Sequence, residues 1–149
     1  MKNYKLCLVI PCYKVENHIL NVLKKIDFKF INHVIIVDDC CPNKSGIKAK
    51  IKFKNRNKYT YIFLKKNLGV GGATLAGVKI ALRRGYKYIV KLDGDDQHDF
   101  KTIKHFYNIF RTKKYVDVCK GYRTLSLLNS KGMPLIRLLG NIIMTKIGH

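Results

Sequence analysis

Short apolar runs alternate with amphipathic stretches along the chain, and the spacing within each decides the element it predicts. Tyr4 to Ile10 (YKLCLVI) is mostly apolar and is halted by Pro11, the pattern of a buried strand running into a loop. Glu16 to Ile26 instead brings Ile19, Leu20, Leu23 and Ile26 to one side at helical spacing. Val34 to Val37 predicts a second strand, ended by Asp38 and Asp39, and the Lys-rich stretch from Lys44 to Lys54 is helical in part. Tyr59 to Leu64 predicts a third strand. Gly72 to Arg84 predicts a helix carrying Leu75, Ala76, Val78, Ile80 and Leu82 and closed by Gly85. Tyr88 to Leu92 predicts a fourth strand, Asp99 to Lys113 a helix with Ile103, Phe106, Tyr107 and Phe110, and Val116 to Cys119 a fifth strand. The pattern loosens from Gly121 and resumes at Met133 to Ile147. There Leu135, Leu138, Leu139, Ile142, Ile143 and Ile147 form a broad apolar helical face with Arg137 and Lys146 at its margins. Such a helix either packs on further protein or lies in the headgroup layer of an anionic membrane.

Strands that read as continuous apolar runs, each followed by a helix, predict an α/β fold: a mostly parallel, Rossmann-like sheet covered by helices on both faces. The chain has no internal repeat and no linker-like segment, so residues 1–149 read as one domain. No apolar run approaches the roughly 20 residues of a membrane span.

Composition narrows the partners. Hydrophobic residues make up 47% of the chain, enough for a packed core. Thirty Lys and Arg against nine Asp and Glu give a net charge of +21, which suits nucleic acid, an acidic membrane surface or a phosphorylated substrate. The lysines are scattered in a chain rich in Lys, Asn and Ile, so compositional bias accounts for the charge equally well. A specific nucleic-acid reader is not expected, because the chain lacks a clustered basic helix with interleaved stacking aromatics and any known reading motif. Cys7, Cys12, Cys40, Cys41 and Cys119 form no C-x-x-C pair and no zinc spacing, and read as reduced, small apolar residues in a cytoplasmic setting.

In open parallel sheets, ligands bind beyond the carboxyl ends of the strands. Five loops bring polar residues or glycine there: Pro11, Cys12 and Tyr13; Asp38 and Asp39; Asn67 to Gly72; Asp93, Asp95 and Asp96; and Gly121, Tyr122 and Arg123. The segment VKLDGDDQHD holds four of the nine acids between Asp93 and Asp99. Two carboxylates flanking Gly94 can hold one hard cation with coordination positions left open, as Mg²⁺ or Mn²⁺ requires when it shares carboxylates with substrate phosphates. His98 stands close enough in sequence to join that site or simply to shape the turn. NLGVGGATLAG gives G-x-G-x-x-T rather than a dinucleotide fingerprint, and its glycines suit either a phosphate at a helix start or a plain turn.

Taken in order, VIPCYKVENHI, VIIVDDCCPNKS, NLGVGGATLAGVKIAL, VKLDGDDQHD and KGYR resemble five segments of the family 2 glycosyltransferases. Those segments are V-I-P-x-Y-N-x-E, V-D-D-x-S-x-D, N-x-G-x-x-x-A-x-x-x-G, D-x-D-x-Q-H-x-P and G-x-R. MPLIRLLGN, after the last, is similar to the polyprenyl-phosphate sugar synthases and their bacterial relatives. The resemblance implies a GT-A fold and a metal-dependent transferase that moves a sugar from a nucleotide-diphosphate donor to a polyprenyl phosphate or a growing surface glycan. It implies that Pro11 and Tyr13 shape the base pocket and that Glu16 contacts base or ribose. Asp39 would accept from a base N–H with Asp38 as its support. Asp93 would face ribose and diphosphate, with Gly94 beside it in the nucleotide-sugar-binding segment. Asp95 would bind Mg²⁺ or Mn²⁺ directly, and Asp93 would share in the metal site. Arg123 would lie near the diphosphate or acceptor phosphate. The implied location is cytoplasmic, peripheral on the inner membrane face.

The sequence departs from the family pattern at Lys14, at Cys40-Cys41, at Asn43, at Asp96 and at Phe100, none of which is an implied metal ligand. Family members continue into an acceptor region that often carries the catalytic base. The expectation is therefore a donor-binding part, with residues 121–149 opening the acceptor side and the base beyond His149. Such a part would either transfer the sugar or bind the donor without turnover.

Overall fold

A computed structural model describes residues 5–113 and 115–121. The chain divides into two compact units between Cys119 and Lys120, and every strand and helix below belongs to the first. Arg123 and the Met133–Ile147 segment lie outside the described residues.

Strands β1 (Leu6–Cys12), β2 (His33–Asp38), β3 (Tyr59–Phe63) and β4 (Tyr88–Lys91) form one sheet in the order β3-β2-β1-β4, and every pair is parallel. The helices between and after them are α1 (Ile19–Lys24), α2 (Ser45–Lys52), α3 (Gly69–Arg83) and α4 (Lys101–Thr112). β1 and β2 are buried along their whole length, which is why they read as unbroken apolar runs rather than alternating ones. Alternation still sorts their side chains. Leu6, Leu8, Ile10, Val34 and Ile36 pack with Ile19, Val22, Leu23 and Ala49 of α1 and α2 and with Ile103 of α4. Cys7, Val9, Ile35 and Val37 pack on the other face with Ala73 and Ala81 of α3. The chain steps from β1 to β2 to β3 in one direction and then returns past β1 to β4. Right-handed crossovers require the returning helix to lie on the opposite face, where α3 is found.

Three expectations need correction. First, Pro11 does not end β1, which runs on to Cys12 with Pro11 paired opposite Val37. Val9 offers its carbonyl to the β4 side, to Leu92, so alternation turns the nitrogen of Pro11 to that side too, beyond the last β1–β4 pair at Val9 and Lys91. No ladder hydrogen bond is lost there. Second, α3 begins at Gly69, not Gly72, and its sheet-facing stripe is Ala73, Gly77 and Ala81, while Leu75 and Leu82 are 54% and 58% exposed. The helix sits too close to the sheet for large residues: a Cβ on Gly77 would come within 2.4 Å of Val9 Cγ1. Third, Val116–Cys119 forms no strand, and the sheet has four strands among the described residues. Asp117 splits that short run, and Val118 is 83% exposed, so the segment has too little apolar area to hold an edge position. Among the described residues, no helix is long and apolar enough to cross a membrane.

Candidate functional site

The direction of chain progression reverses between β1 and β4, and a crevice opens beyond their carboxyl ends, as this topology predicts. A pocket of ≈ 390 Å³ lies there, lined by loops after β1, β2, β3 and β4. Pro11 comes from the end of β1 and Tyr13 from the loop after it, Asp39 from the loop after β2, Asn67 from the loop after β3 with Gly69 opening α3, and Asp93, Gly94 and Asp95 from the loop after β4.

The two neighbouring aspartates at the end of β2 have separate tasks, because strand alternation sends them to opposite faces. Asp38 turns toward α2: its Oδ1 accepts from Cys41 N–H (2.8 Å) and its Oδ2 from Gly46 N–H (2.7 Å), the latter in the first turn of α2. Gly46 is seated directly on it, since an added Cβ would lie 2.7 Å from both Asp38 Cβ and Oδ2. Asp39 turns toward the start of α3, where its Oδ1 accepts from Leu68 N–H (2.7 Å). It is 2% exposed yet lines the pocket, whereas Asp38 does not. Each carboxylate thus meets the positive end of a helix.

The loop after β4 carries the other acids. Lys91 Nζ donates to Asp93 Oδ1, and His98 Nε2 lies 3.1 Å from Asp93 Oδ2. Partial burial pushes the Asp93 carboxyl up, but the hydrogen bonds and charges of Lys91 and His98 outweigh it and hold its pKa below the ordinary value. Gly94 lets this loop approach the β1 loop, since a Cβ would stand 3.1 Å from Val15 Cγ2 and 3.6 Å from Cys12 Sγ. Asp95 Oδ1 accepts from Gln97 N–H (3.1 Å). Asp96, one of the departures from the family pattern, is held outside the pocket by a bidentate pair with Lys25 (2.7 and 2.8 Å).

Glu16 does not join the pocket. Its Oε1 accepts from Asn43 Nδ2 (2.6 Å) and its Oε2 from Ser45 Oγ (3.4 Å). Hydrogen bonds from its own backbone and from Asn43 hold its pKa below the usual range. It therefore links the β1 loop to the start of α2. Cys41 does the same: Lys14 N–H donates to its Sγ (3.1 Å), which lies 3.2 Å from Ser45 Oγ. Burial pushes this thiol up, but its hydrogen bonds from Ser45, Lys14 and Asn43 bring it below the ordinary value. All five cysteines are free, though only Cys7, Cys12 and Cys41 are buried. Among the described residues four non-glycine residues have positive φ, and all four stand in these strand-end loops: Lys14 (53°), Cys40 (53°), Lys44 (56°) and Asp96 (63°). At a cost on the order of 1–3 kcal/mol each, such strain persists only where surroundings fix it, and it gathers at functional edges.

Sequence reasoning does not single out Lys91, the partner of Asp93; it places Asn67 at the strand ends but gives no role to its Oδ1, which accepts from Gly69 N–H (2.8 Å) at the pocket wall. The glycine-rich helix start was the available signal for the latter. A lysine closing a strand in so basic a chain gives no signal.

Residues 7–139 match the sequence profile of Glycosyl transferase family 2. The chain is 32% identical over 151 aligned residues to a UDP-N-acetylglucosamine–dolichyl-phosphate N-acetylglucosaminyltransferase of Methanococcus voltae, covering 91% of this chain and 58% of that protein. It is 28% identical to an undecaprenyl-phosphate mannosyltransferase of Micrococcus luteus, covering 72% of this chain and 45% of that one. A crystal structure of S. aureus TarS residues 1–349 shares the fold, with a TM-score of 0.55 at 22% identity over 72% of this chain and 32% of the other. The chain thus spans 58% or less of the length of each of these proteins. The profile match over most of the chain, in the order the five motifs run, places it in glycosyl transferase family 2.

Proposed function

We propose that this chain binds a nucleotide-diphosphate sugar in the pocket between β1 and β4, as the donor site of a glycosyltransferase. The observation that carries the reading is the convergence of Asp39, Asp93 and Asp95 with Pro11 and Tyr13 on one pocket of ≈ 390 Å³, at the point where the sheet topology reverses. Pro11 and Tyr13 would form the wall for the base, and Asp39 would accept from a base N–H. Asp93, kept ionised by Lys91 and His98, would orient the ribose or diphosphate. Glu16, tied to Asn43 and Ser45, would act by positioning the loop that carries Tyr13.

The donor set suits Mg²⁺ or Mn²⁺. Among the described residues no three His, Cys, Asp or Glu side chains are placed to hold one metal ion between them, so they form no all-protein cage. Two hard carboxylates on one loop match a cation that completes its shell with water and substrate phosphate. Asp95 would be the principal ligand and Asp93 the second. When bound, the cation would neutralise charge on the departing nucleoside diphosphate. The acceptor would be a polyprenyl phosphate, the chemistry named for the M. voltae and M. luteus relatives. Transfer would break the bond from the anomeric carbon to the diphosphate and form one to the acceptor oxygen. Arg123 would assist at one of the phosphates.

The test is calorimetric titration of nucleoside diphosphates and their sugars with and without Mn²⁺, beside a transfer assay on a short polyprenyl phosphate. Metal-dependent binding that Asp95→Ala abolishes is expected. Absence of any nucleotide binding by the parent would overturn the reading, and binding without transfer would make the chain a donor-binding module.

A further inference from the structure

The outward face of α2 combines exposed apolar side chains with cations. Ile47 and Ile51 lie one turn apart and are 42% and 64% exposed, while Ser45, Gly46 and Ala49 face the core. Helical geometry puts Lys48 and Lys52 on one flank of the isoleucines and Lys50 on the other. The surface continues onto the edge strand β3. Tyr59, Tyr61 and Phe63 alternate toward the α2 side, Phe63 is 43% exposed, and Lys50 Nζ stands 5.5 Å from its ring centre. Beside it lies a second pocket of ≈ 330 Å³, lined by Lys50, Ile51, Lys54, Arg56, Tyr59 and Tyr61. The Tyr61 hydroxyl already donates to Phe53 O (2.8 Å), and Lys50, Lys54 and Arg56 put three cations on the pocket wall. The sequence has no Asp or Glu between Asp39 and Asp93, so no acid from these elements offsets them.

We propose that the α2–β3 face docks on the anionic headgroup layer of a lipid bilayer, with Ile47, Ile51 and Phe63 entering the acyl boundary and the flanking cations meeting lipid phosphates. Charge alone would suit any polyanion. The isoleucines decide among them, because a nucleic-acid backbone gains nothing from exposed aliphatic side chains, whereas a bilayer rewards an apolar centre in a cationic ring. The assignment uses no residue of the nucleotide pocket and stands or falls apart from it.

The test is sedimentation of the full 149-residue chain with phosphatidylglycerol–phosphatidylcholine vesicles in 0.15 M and 0.5 M NaCl. At the higher salt the screening length is about 4 Å, so scattered lysines hold little and apolar insertion persists. The double variant Ile47→Ser/Ile51→Ser should lose at least about tenfold in vesicle partition in 0.5 M salt while keeping the parent's melting temperature and its low-salt binding to generic RNA. Lys50→Gln/Lys54→Gln should lose several-fold in 0.15 M salt. Leu75→Ser/Leu82→Ser, on the exposed side of α3, should match the parent. The proposal is overturned if the isoleucine variant partitions like the parent, if the α3 variant loses as much, or if RNA and vesicle binding fall together.

Discussion

Asp38 and Asp39 are adjacent in sequence and chemically identical, yet exchanging each for asparagine should give opposite phenotypes. Asp38 is 5% exposed and accepts two backbone N–H bonds, at 2.8 and 2.7 Å, with its two oxygens. Asparagine can keep one of these; its NH₂ must then face the other N–H. The loss of one charge-assisted hydrogen bond and the facing of two buried donors together cost about 2–4 kcal/mol. For a chain of this size that lowers the melting temperature by roughly 10 °C. Asp39 accepts only the Leu68 N–H through Oδ1. An asparagine at that position can offer its amide oxygen in place of Oδ1, so Asp39→Asn should change stability by less than about 1 kcal/mol. Nucleotide binding should instead weaken by roughly 1–3 kcal/mol, with or without Mn²⁺, because the acceptor for the base N–H has gone. Thermal unfolding followed by circular dichroism, with titration of a panel of nucleoside diphosphates, reads both effects. If Asp38→Asn melts with the parent and Asp39→Asn melts about 10 °C lower, the division of labour is wrong.

Three further outcomes rest on the same geometry. Gly77→Ala should destabilise the fold by roughly 1–3 kcal/mol despite better helix propensity, because its Cβ meets the stiff, buried Val9 at 2.4 Å, whereas Gly71→Ala, with nothing within 4 Å, should be neutral or stabilising by up to about 1 kcal/mol in denaturant unfolding. Burial first, then the neighbouring cations Arg84 and Lys58, depress the His33 pKa despite its hydrogen bond to Asn57 O. A depressed folded-state pKa means stability present in full above the unfolded value near 6.5 and lost as pH falls through the folded value; unfolding midpoints measured from pH 8 to 5 should drop at the acid end, and less so in His33→Gln. Asp95→Ala should remove Mn²⁺-dependent nucleotide binding with the melting temperature unchanged; equal metal dependence in variant and parent would refute its role as ligand.

β1 and β2 are legible because burial on both faces leaves continuous apolar runs, and β2, β3 and β4 begin and end within a residue of their apolar runs. The start of α3 was not legible, and the reason is physical. The residues at the N-caps of α2 and α3 are Lys44 and Leu68, and neither supplies a side-chain cap. The free N–H groups are met from a distance instead, by Asp38 at Gly46 and Asp39 at Leu68, with Asn67 serving Gly69. Local sequence rules look for the cap at the residue that opens the helix, and neither Lys44 nor Leu68 supplies one; for α3 the nearby acceptor, Asn67, stands one residue earlier. The buried face of α3, which the sequence reading does not assign, is set by packing distance rather than by hydrophobicity. A hydrophobic count favours Leu75 and Leu82, but the close approach of helix to sheet selects glycine and alanine. Proximity in the motifs foretold the acid cluster, but not that Lys91 and Lys25 would each take one of its members.

Those pairings bear on why so basic a chain gathers carboxylates at one edge. Asp38 and Asp39 each rest on backbone N–H groups at a helix start, Asp93 lies between Lys91 and His98, and Asp96 is closed by Lys25. Each carries its charge beside a partner of opposite sign or the positive end of a helix. Asp95 differs. Among the described residues its carboxylate has one hydrogen-bond donor, the Gln97 amide, and no cationic partner, and it lines the pocket. Among the acids of the described residues only Asp93 and Asp96 have a cationic partner, so what sets Asp95 apart is that it lines the pocket with neither a cation nor a helix start upon it. Lysine is also the residue that would block it, since an ammonium seated on Asp95 would compete with any divalent ion. The neighbours that could have done so are engaged elsewhere, Lys91 on Asp93 and Lys25 on Asp96. The arrangement therefore separates the acids that hold loops in place from Asp95, which lines the pocket with its oxygens open to a cation. It makes Asp95, rather than Asp93, the position at which metal dependence should be won or lost.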